Sequence, residues 1–254
     1  MVNRNGLRIL ISNDDGIYAH GINVLYRAVS KTYPETFVVA PDRNQSAASH
    51  CLTIEYPIRV QSLPTKNFIA VRGTPTDSVY LALNELIEPQ PQVVLSGINE
   101  GPNLGDVVIY SGPVAAATTG RGLGLPAMAI SLCGRENYET AAFFALKILG
   151  SLPACPMPPN QILNINVPDL PLSEIKGIKV TRLGTRAASD SVIKAQDPRG
   201  KPVYWVGPQG RAVDVAEDTD FFAIRNGYVS VTPLHIDLTS YRVIDELTAW
   251  VQHL

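Results

Sequence analysis

Two adjacent carboxylates, Asp14 and Asp15, stand with Gly16 directly after the apolar run Ile9-Leu10-Ile11. Two acids side by side at the end of a buried strand repel each other unless a cation holds them. Hard carboxylate oxygens suit Mg²⁺, Mn²⁺ or Ca²⁺. Ser46 and Asn99 each follow a later apolar run in the same way, at the ends of Pro41-Asp42-Arg43-Asn44-Gln45-Ser46 and Gly97-Ile98-Asn99. Two carboxylates, a hydroxyl and an amide carbonyl make an oxygen-only ligand set that leaves room for water and a substrate. Ser111-Gly112 before Pro113 puts a hydroxyl and free amides at a helix start, which favours an anion such as phosphate. Each residue alone has a plainer role: helix cap for Asp14, Asp15 or Ser111, turn residue for Ser46 or Asn99. Their recurrence at successive strand ends argues for a site.

The elements that must position them alternate. Ile22, Leu25, Ala28 and Val29 recur at helical spacing after the acidic turn, and Phe37-Val38-Val39-Ala40 is a second buried strand. Ile69-Ala70-Val71 leads to Thr74 as N-cap and Pro75 as first helical residue, with Val79, Ala82, Leu83 and Leu86 on one face. Gln92 to Ser96 is a strand followed by a glycine-rich loop through Asp106. An alanine-rich helix from Ser111, a strand over Ala127 to Leu132 and a helix with Ala141, Phe144, Ala145, Ile148 and Leu149 complete the first half. Such alternation implies right-handed βαβ units in a mostly parallel sheet covered on both sides. Ligands of open α/β sheets bind beyond the carboxyl ends of the strands.

The second half is richer in β-structure. Ile162 to Val167 alternates with period two, and Ile178 to Thr181 resembles it. Asp197-Pro198-Arg199-Gly200 has the residue order of a type I turn. It joins Ser191–Gln196 to Lys201–Val206 as a hairpin bearing Tyr204 and Trp205. Tyr228 to Pro233 is a late strand. Val243, Ile244, Leu247, Trp250, Val251 and Leu254 form one stripe of a C-terminal helix. Pro153 to Pro159 marks a connection rather than a boundary, so the expectation is one α/β domain over 1–254. Within it lie a core of about 7–150, an arm of about 186–210 and a terminal helix of about 240–254.

Composition excludes several classes. The chain has 254 residues, 45% hydrophobic and 17% charged, with a net charge of −2, which suits a folded protein rather than a disordered one. That charge gives no electrostatic support for nucleic-acid or anionic-membrane binding. Neither a membrane-length apolar run nor a signal-peptide core is present, and the three cysteines lack a CxxC pair, so the expected compartment is the cytoplasm. The four histidines show no HExxH spacing, which argues against a zinc hydrolase; only His235 stands where a secondary site residue could. No GxxxxGK[ST] and no GxSxG occurs.

Ser12-Asn13-Asp14-Asp15-Gly16, Ala40 to Ser46, Gly73-Thr74-Pro75-Thr76-Asp77, Ser96 to Asn99 with Gly101-Pro102-Asn103, and Tyr110-Ser111-Gly112 occur in that order. Together they resemble the survival protein E (SurE) family of nucleotidases. The likeness continues through Leu163 to Pro168, Gln196 to Gly200, Thr219-Asp220 and Gly227 to Ser230, so it covers nearly the whole chain from Leu7.

The resemblance implies a Rossmann-like three-layer sandwich and hydrolysis of nucleoside 5′- or 3′-monophosphates. Some family members also trim short polyphosphate. It implies one divalent metal ion per subunit, Mg²⁺ or Mn²⁺, on Asp14, Asp15, Ser46 and Asn99. Asn103 and Ser111, with Gly112, fall where the family contacts phosphate, which makes Asp14, Asp15, Asn103 and Ser111 the catalytic set. A homodimer or homotetramer that exchanges C-terminal segments is also implied. Three positions depart from the family pattern: His20 stands for a usual proline, Pro113 for threonine and Thr119 for glutamate. A cation held there would bind a phosphoryl oxygen and lower the pKa of water, with Asp14 or Asp15 as proton acceptor. Ser46 as a covalent nucleophile is a minor alternative, because no base stands near it in sequence. Two other classes fit the same crevice: a noncatalytic nucleotide-binding module and a nucleotide-sugar transferase.

Overall fold

The computed structural model describes residues 6–188 and 192–254; Ser191, at the base of the expected hairpin, lies outside them. The strands and helices of the first half are β1 (Ile9–Ser12), α1 (His20–Ser30), β2 (Thr36–Pro41), β3 (Val60–Ser62), β4 (Phe68–Val71), α2 (Pro75–Leu81), β5 (Val93–Glu100), α3 (Gly112–Thr119), β6 (Ala127–Cys133) and α4 (Tyr138–Leu149). The second half adds β7 (Ile162–Pro168), β8 (Ile178–Val180), β9 (Ile193–Gln196), β10 (Pro202–Trp205), α5 (Asp220–Arg225), β11 (Val229–Leu234) and α6 (Ile244–Val251).

Nine strands form one sheet in the order β3-β4-β2-β1-β5-β6-β7-β11-β8. Pairing is parallel except where β3 meets β4 and β11 meets β7. The inner strands β1, β2, β5, β6 and β7 are buried on both faces, which explains their apolar runs, whereas the edge strands β3 and β8 are largely exposed. In β1, Ile9 and Ile11 pack with Ile22 and Leu25 of α1 and Ala141 and Ala145 of α4. Leu10 packs oppositely, with Val79 of α2 and Ala116 and Ala117 of α3. This is the expected three-layer α/β sandwich. From β1 the order runs outward one way through β2 and the other way through β5, so the β1–β5 seam is the topological switch point.

Helix α2 begins as its sequence requires. The Thr74 hydroxyl accepts from Asp77 N at 3.0 Å, and the Asp77 carboxylate accepts from Thr74 N at 2.9 Å. This is a reciprocal capping box with Pro75 in the first turn.

Several expectations need correction. β5 does not end at Ser96: a bulge between Ser96 and Asn99 lets it resume pairing, with Asn99 opposite Ser131 of β6. Asn99 and Glu100 are therefore strand residues, not loop residues. β7 alternates in sequence but is buried throughout, because helices from both layers reach it. β3 and α5 are too short for periodicity to reveal them.

The hairpin forms as expected, with Val203 opposite Ala195 and Gly200 N donating to Asp197 O at 2.9 Å. Its Tyr204 and Trp205 are 62% and 66% exposed. The C-terminal stripe is also uncovered, since α6 follows a short 3-10 turn over Tyr241–Val243 and buries no residue. Among the described residues, no helix is long and apolar enough to cross a membrane.

Candidate active site

The turn after β1 is held from three sides. Asn13 Nδ2 donates to Gly16 O at 2.9 Å and closes it locally. Gly16 has φ +98°, and a Cβ there would lie 2.8 Å from the carbonyl carbon of Arg43, so glycine is required. Ile17 N donates to Pro41 O and Gln45 N to Asp14 O, both at 2.8 Å. These bonds lace the acidic turn to the loop after β2, which carries Ser46. The Ser46 amide is fixed by Asn44 Oδ1 at 2.7 Å, and its side chain is exposed.

Asp14 is 4% exposed, and its Oδ1 is buried with no hydrogen-bond partner among the described residues. Its other oxygen packs against Gly112, the first residue of α3. Burial, and secondarily the Asp15 charge, push the Asp14 carboxyl up to about 7. Asp15 is partly buried; its Oδ2 accepts from Glu100 N at 3.1 Å. Its carboxyl is also raised, by burial first and then, less strongly, by the Glu100 charge. A bare pair of this kind resists ionisation, and a divalent cation would reverse that preference.

Asn99 is 8% exposed and its Nδ2 donates to Gly101 O at 2.8 Å. Its carbonyl oxygen is left to accept or to ligate. The candidate ligands thus stand beside the switch point: Asp14 and Asp15 after β1, Asn99 near the end of β5, and Ser46 on the loop after β2. Asp15 and Ser46 line one cavity of about 370 Å³. Among the described residues no cluster of three or more His, Cys, Asp or Glu occurs, so a cation here must draw on hydroxyl and amide oxygens beside the two acids. The buried, unpartnered Asp14 oxygen and this hard donor set fit Mg²⁺ or Mn²⁺.

The candidate phosphate contacts lie across the seam. The Ser111 oxygen accepts from Val114 N at 3.2 Å as the cap of α3, which leaves its hydrogen free to donate. Capping and anion binding are therefore compatible rather than exclusive. Asn103 is clamped through its backbone, with N donating to Asn166 Oδ1 at 2.8 Å and O accepting from Asn164 and Asn166, each at 3.0 Å. Its Nδ2 donates to Ser131 Oγ at 2.8 Å, so contact with a phosphate requires it to turn from that hydroxyl.

Residues 9–190 match the family model described as survival protein SurE. The chain belongs to the SurE family. It is 55% identical over 250 residues to a protein of Aeromonas hydrophila named 5'-nucleotidase SurE, covering 96% of this chain and 98% of that one. A protein of Cronobacter sakazakii named 5'/3'-nucleotidase SurE is 56% identical over 245 residues, covering 96% of each. The crystal structure of the SurE protein from Aquifex aeolicus superposes with a TM-score of 0.82 at 44% identity, covering 96% of this chain and 99% of that one.

Two of the positions expected from sequence to differ from the family pattern have structural partners. Thr119 donates to Ala115 O at 2.9 Å and bonds His50 Nε2 at 3.2 Å, whereas His20 stacks edge-on against Tyr138. His235 is exposed beside a mainly apolar cavity of about 410 Å³ that Ser111 also borders. Several positioning residues went unassigned from sequence. Asn164 and Asn166 hold Asn103. Asp220 accepts from Gly105 N at 2.7 Å and Gly184 N at 3.0 Å, which pins the loop after β5. The pair Asn164-Ile165-Asn166 and Thr219-Asp220 both lie in segments that carry the family likeness, and that was their only signal.

Proposed function

We propose that this chain is a metal-dependent phosphomonoesterase that hydrolyses nucleoside 5′- and 3′-monophosphates to nucleoside and phosphate. The observation that carries the reading is the buried, unpartnered Asp14 oxygen beside Asp15 at the switch point of a SurE fold. Relatives named nucleotidases over nearly their full length supply the substrate class. Asp14, Asp15, Ser46 and Asn99 would hold one Mg²⁺ or Mn²⁺ per subunit. When bound, such an ion polarises a phosphoryl oxygen and eases ionisation of water.

The chain's own groups do the rest. The Ser111 hydroxyl, the α3 amides from Gly112 onward, and the Asn103 amide donate to equatorial phosphoryl oxygens as charge grows on them. Asp15 faces the cavity and takes the proton of the attacking water. The water oxygen bonds to phosphorus in line as the ester bond breaks, and the proton passes to the departing nucleoside oxygen. Short polyphosphate is a second substrate class for the same groups.

The whole of 1–254 acts as one unit, with the site in the core of about 7–150. The arm of about 186–210 and the helix of about 240–254 hold a homodimer or homotetramer, supported by their uncovered aromatic and aliphatic side chains. The unpaired cysteines suit the reducing cytoplasm. No membrane or nucleic-acid polymer is needed as a partner.

Phosphate release from AMP and GMP with Mg²⁺, Mn²⁺ or Co²⁺ tests the activity. A phosphatase needs no acceptor, unlike a transferase, and a binding module releases nothing. EDTA should abolish release while the circular-dichroism spectrum is kept. Undiminished activity in metal-stripped protein would sink the mechanism.

A further inference from the structure

Alternate residues of the loop after β2 line two different cavities. Asn44 and Ser46 border the one beside Asp15, whereas Arg43 and Gln45 border another of about 470 Å³. The second cavity has no part in the metal and phosphate chemistry above, and small-molecule sites span roughly 300–1,000 Å³. Arg59, Arg72 and Tyr56 also line it. The sheet itself gathers these arginines. Val60 of β3 stands opposite Val71 of β4, and the ladder continues one step further, with Arg72 N donating to Arg59 O at 2.8 Å. Arg59 and Arg72 therefore face each other across two antiparallel strands. Asp42 N donates to Val71 O at 2.8 Å, which brings Arg43 to the same edge from β2. That edge is formed by the carboxyl ends of β2 and β4, where ligands of α/β sheets bind.

Like charges directly opposite in an antiparallel pair repel each other. Among the described residues, Arg59 and Arg72 have no ion-pair partner, and Arg43 has only Asp42, with Nε 3.5 Å from Oδ1. No acidic side chain among the described residues lines the cavity. The Asp77 carboxylate, tied to the lining residues Thr53 and Thr74, is buried and already accepts three hydrogen bonds from them. An anion among the guanidinium groups would relieve the repulsion. Three guanidinium forks used bidentately call on about six oxygens. One phosphate presents too few of them on one side, whereas two linked phosphates supply the set. With no carboxylate there to hold a metal or take a proton, the cavity has nothing to activate water. We infer that Arg43, Arg59 and Arg72 form a noncatalytic anion site for a pyrophosphoryl group, either free inorganic pyrophosphate or the phosphate chain of a nucleoside di- or triphosphate. In the second case the Tyr56 ring offers a face to the base. The site stands apart from the nucleotidase reading and survives if that reading fails.

The test is calorimetric titration of the full-length protein with inorganic pyrophosphate, in EDTA so that no cation carries the anion to the acidic turn. Wild type should bind one pyrophosphate per chain, and orthophosphate at least about tenfold more weakly, the range of one hydrogen bond to a charged group. Arg59→Gln and Arg72→Gln should each lose about tenfold or more in affinity for pyrophosphate. In plain buffer Arg59→Gln should melt no lower than wild type, because it sheds a like-charged neighbour, so its lost binding reports the site and not unfolding. ATP arms separate the two sources. ATP that binds as pyrophosphate does shows that the phosphate chain alone is read. ATP that binds tenfold tighter, with the gain removed by Tyr56→Ala, identifies a nucleoside triphosphate as the ligand. No binding of pyrophosphate by wild type, equal affinity for orthophosphate, or undiminished affinity in both arginine variants would overturn the inference. So would a loss of pyrophosphate binding in Ser111→Ala that the arginine variants do not share, since it would put the anion at the catalytic site.

Discussion

Asp14 and Gly112 are packed so closely that a methyl group on Gly112 would lie 2.5 Å from Asp14 Oδ2 and 2.6 Å from its Cβ. The first turn of α3 and the acidic turn after β1 thus share one space, and only glycine leaves it open. Gly112→Ala should push the Asp14 carboxylate out of position without unfolding the chain. Displacing a ligand's support typically costs about 10–100-fold in metal affinity. Titration of activity with Mn²⁺ should therefore show a comparable rise in the concentration for half-maximal rate. An unchanged midpoint would separate Gly112 from the metal site.

Asp14 also ties catalysis to stability. Its folded-state carboxyl is raised to about 7 from 3.8, so between those values the metal-free folded chain holds a proton that the unfolded chain has released. Stability of the stripped protein should then fall as pH rises from 4 to about 7 and level off above, by at most about 4 kcal/mol from this group. Asp14→Asn carries no such charge. Metal-free Asp14→Asn should melt several degrees above metal-free wild type at pH 8, and the gap should close near pH 4. Its turnover should nonetheless drop by orders of magnitude, as should that of Asp15→Asn, since each loses a charged ligand. Matching melting curves at pH 8 would mean that burial does not burden Asp14.

Ser111 joins two roles in one side chain. Because its oxygen caps Val114 N while its hydrogen stays free, Ser111→Ala should lose about 1 kcal/mol of stability. It should also lower kcat/KM, through loss of a donor to the phosphate. Thermal melts and steady-state kinetics on one variant decide the matter. A stability loss with native kinetics would leave Ser111 a cap alone.

Particular residues show how much of this was legible in the sequence. Ser12 to Gly16 and Thr74 to Asp77 were readable because a short apolar run and a capping pattern are local signals, and both elements sit where they imply. Glu100 was not, since a bulge past Ser96 carries β5 four residues beyond its apolar run and turns an apparent loop into a cavity wall. Asn164 and Asn166 look like the outward residues of a half-exposed strand. They are fully buried, and each donates its Nδ2 to Asn103 O, a contact more than 60 residues away in sequence. The stripe on the terminal helix was clear in sequence, yet none of the described residues covers it: periodicity reports an apolar face and not what that face meets.

That uncovered surface leads to the arm. Val192, Ile193, Tyr204, Trp205 and Val206 of the hairpin are each more than half exposed, as are Leu247, Trp250 and Val251 on α6. Monomers seldom leave contiguous apolar surface of this kind in water. A symmetric homo-oligomer in which each arm packs on a neighbour would cover it by closed pairing. Replacing Val192 through Tyr204 with a short Gly-Ser turn should shift the protein toward monomer in sedimentation velocity. Activity should fall far less than in Asp14→Asn, because Asp14, Asp15, Ser46 and Asn99 all lie on the β1, β2 and β5 side of the sheet. Wild-type protein that sediments as a monomer at micromolar concentration would rule the arm out as an assembly device.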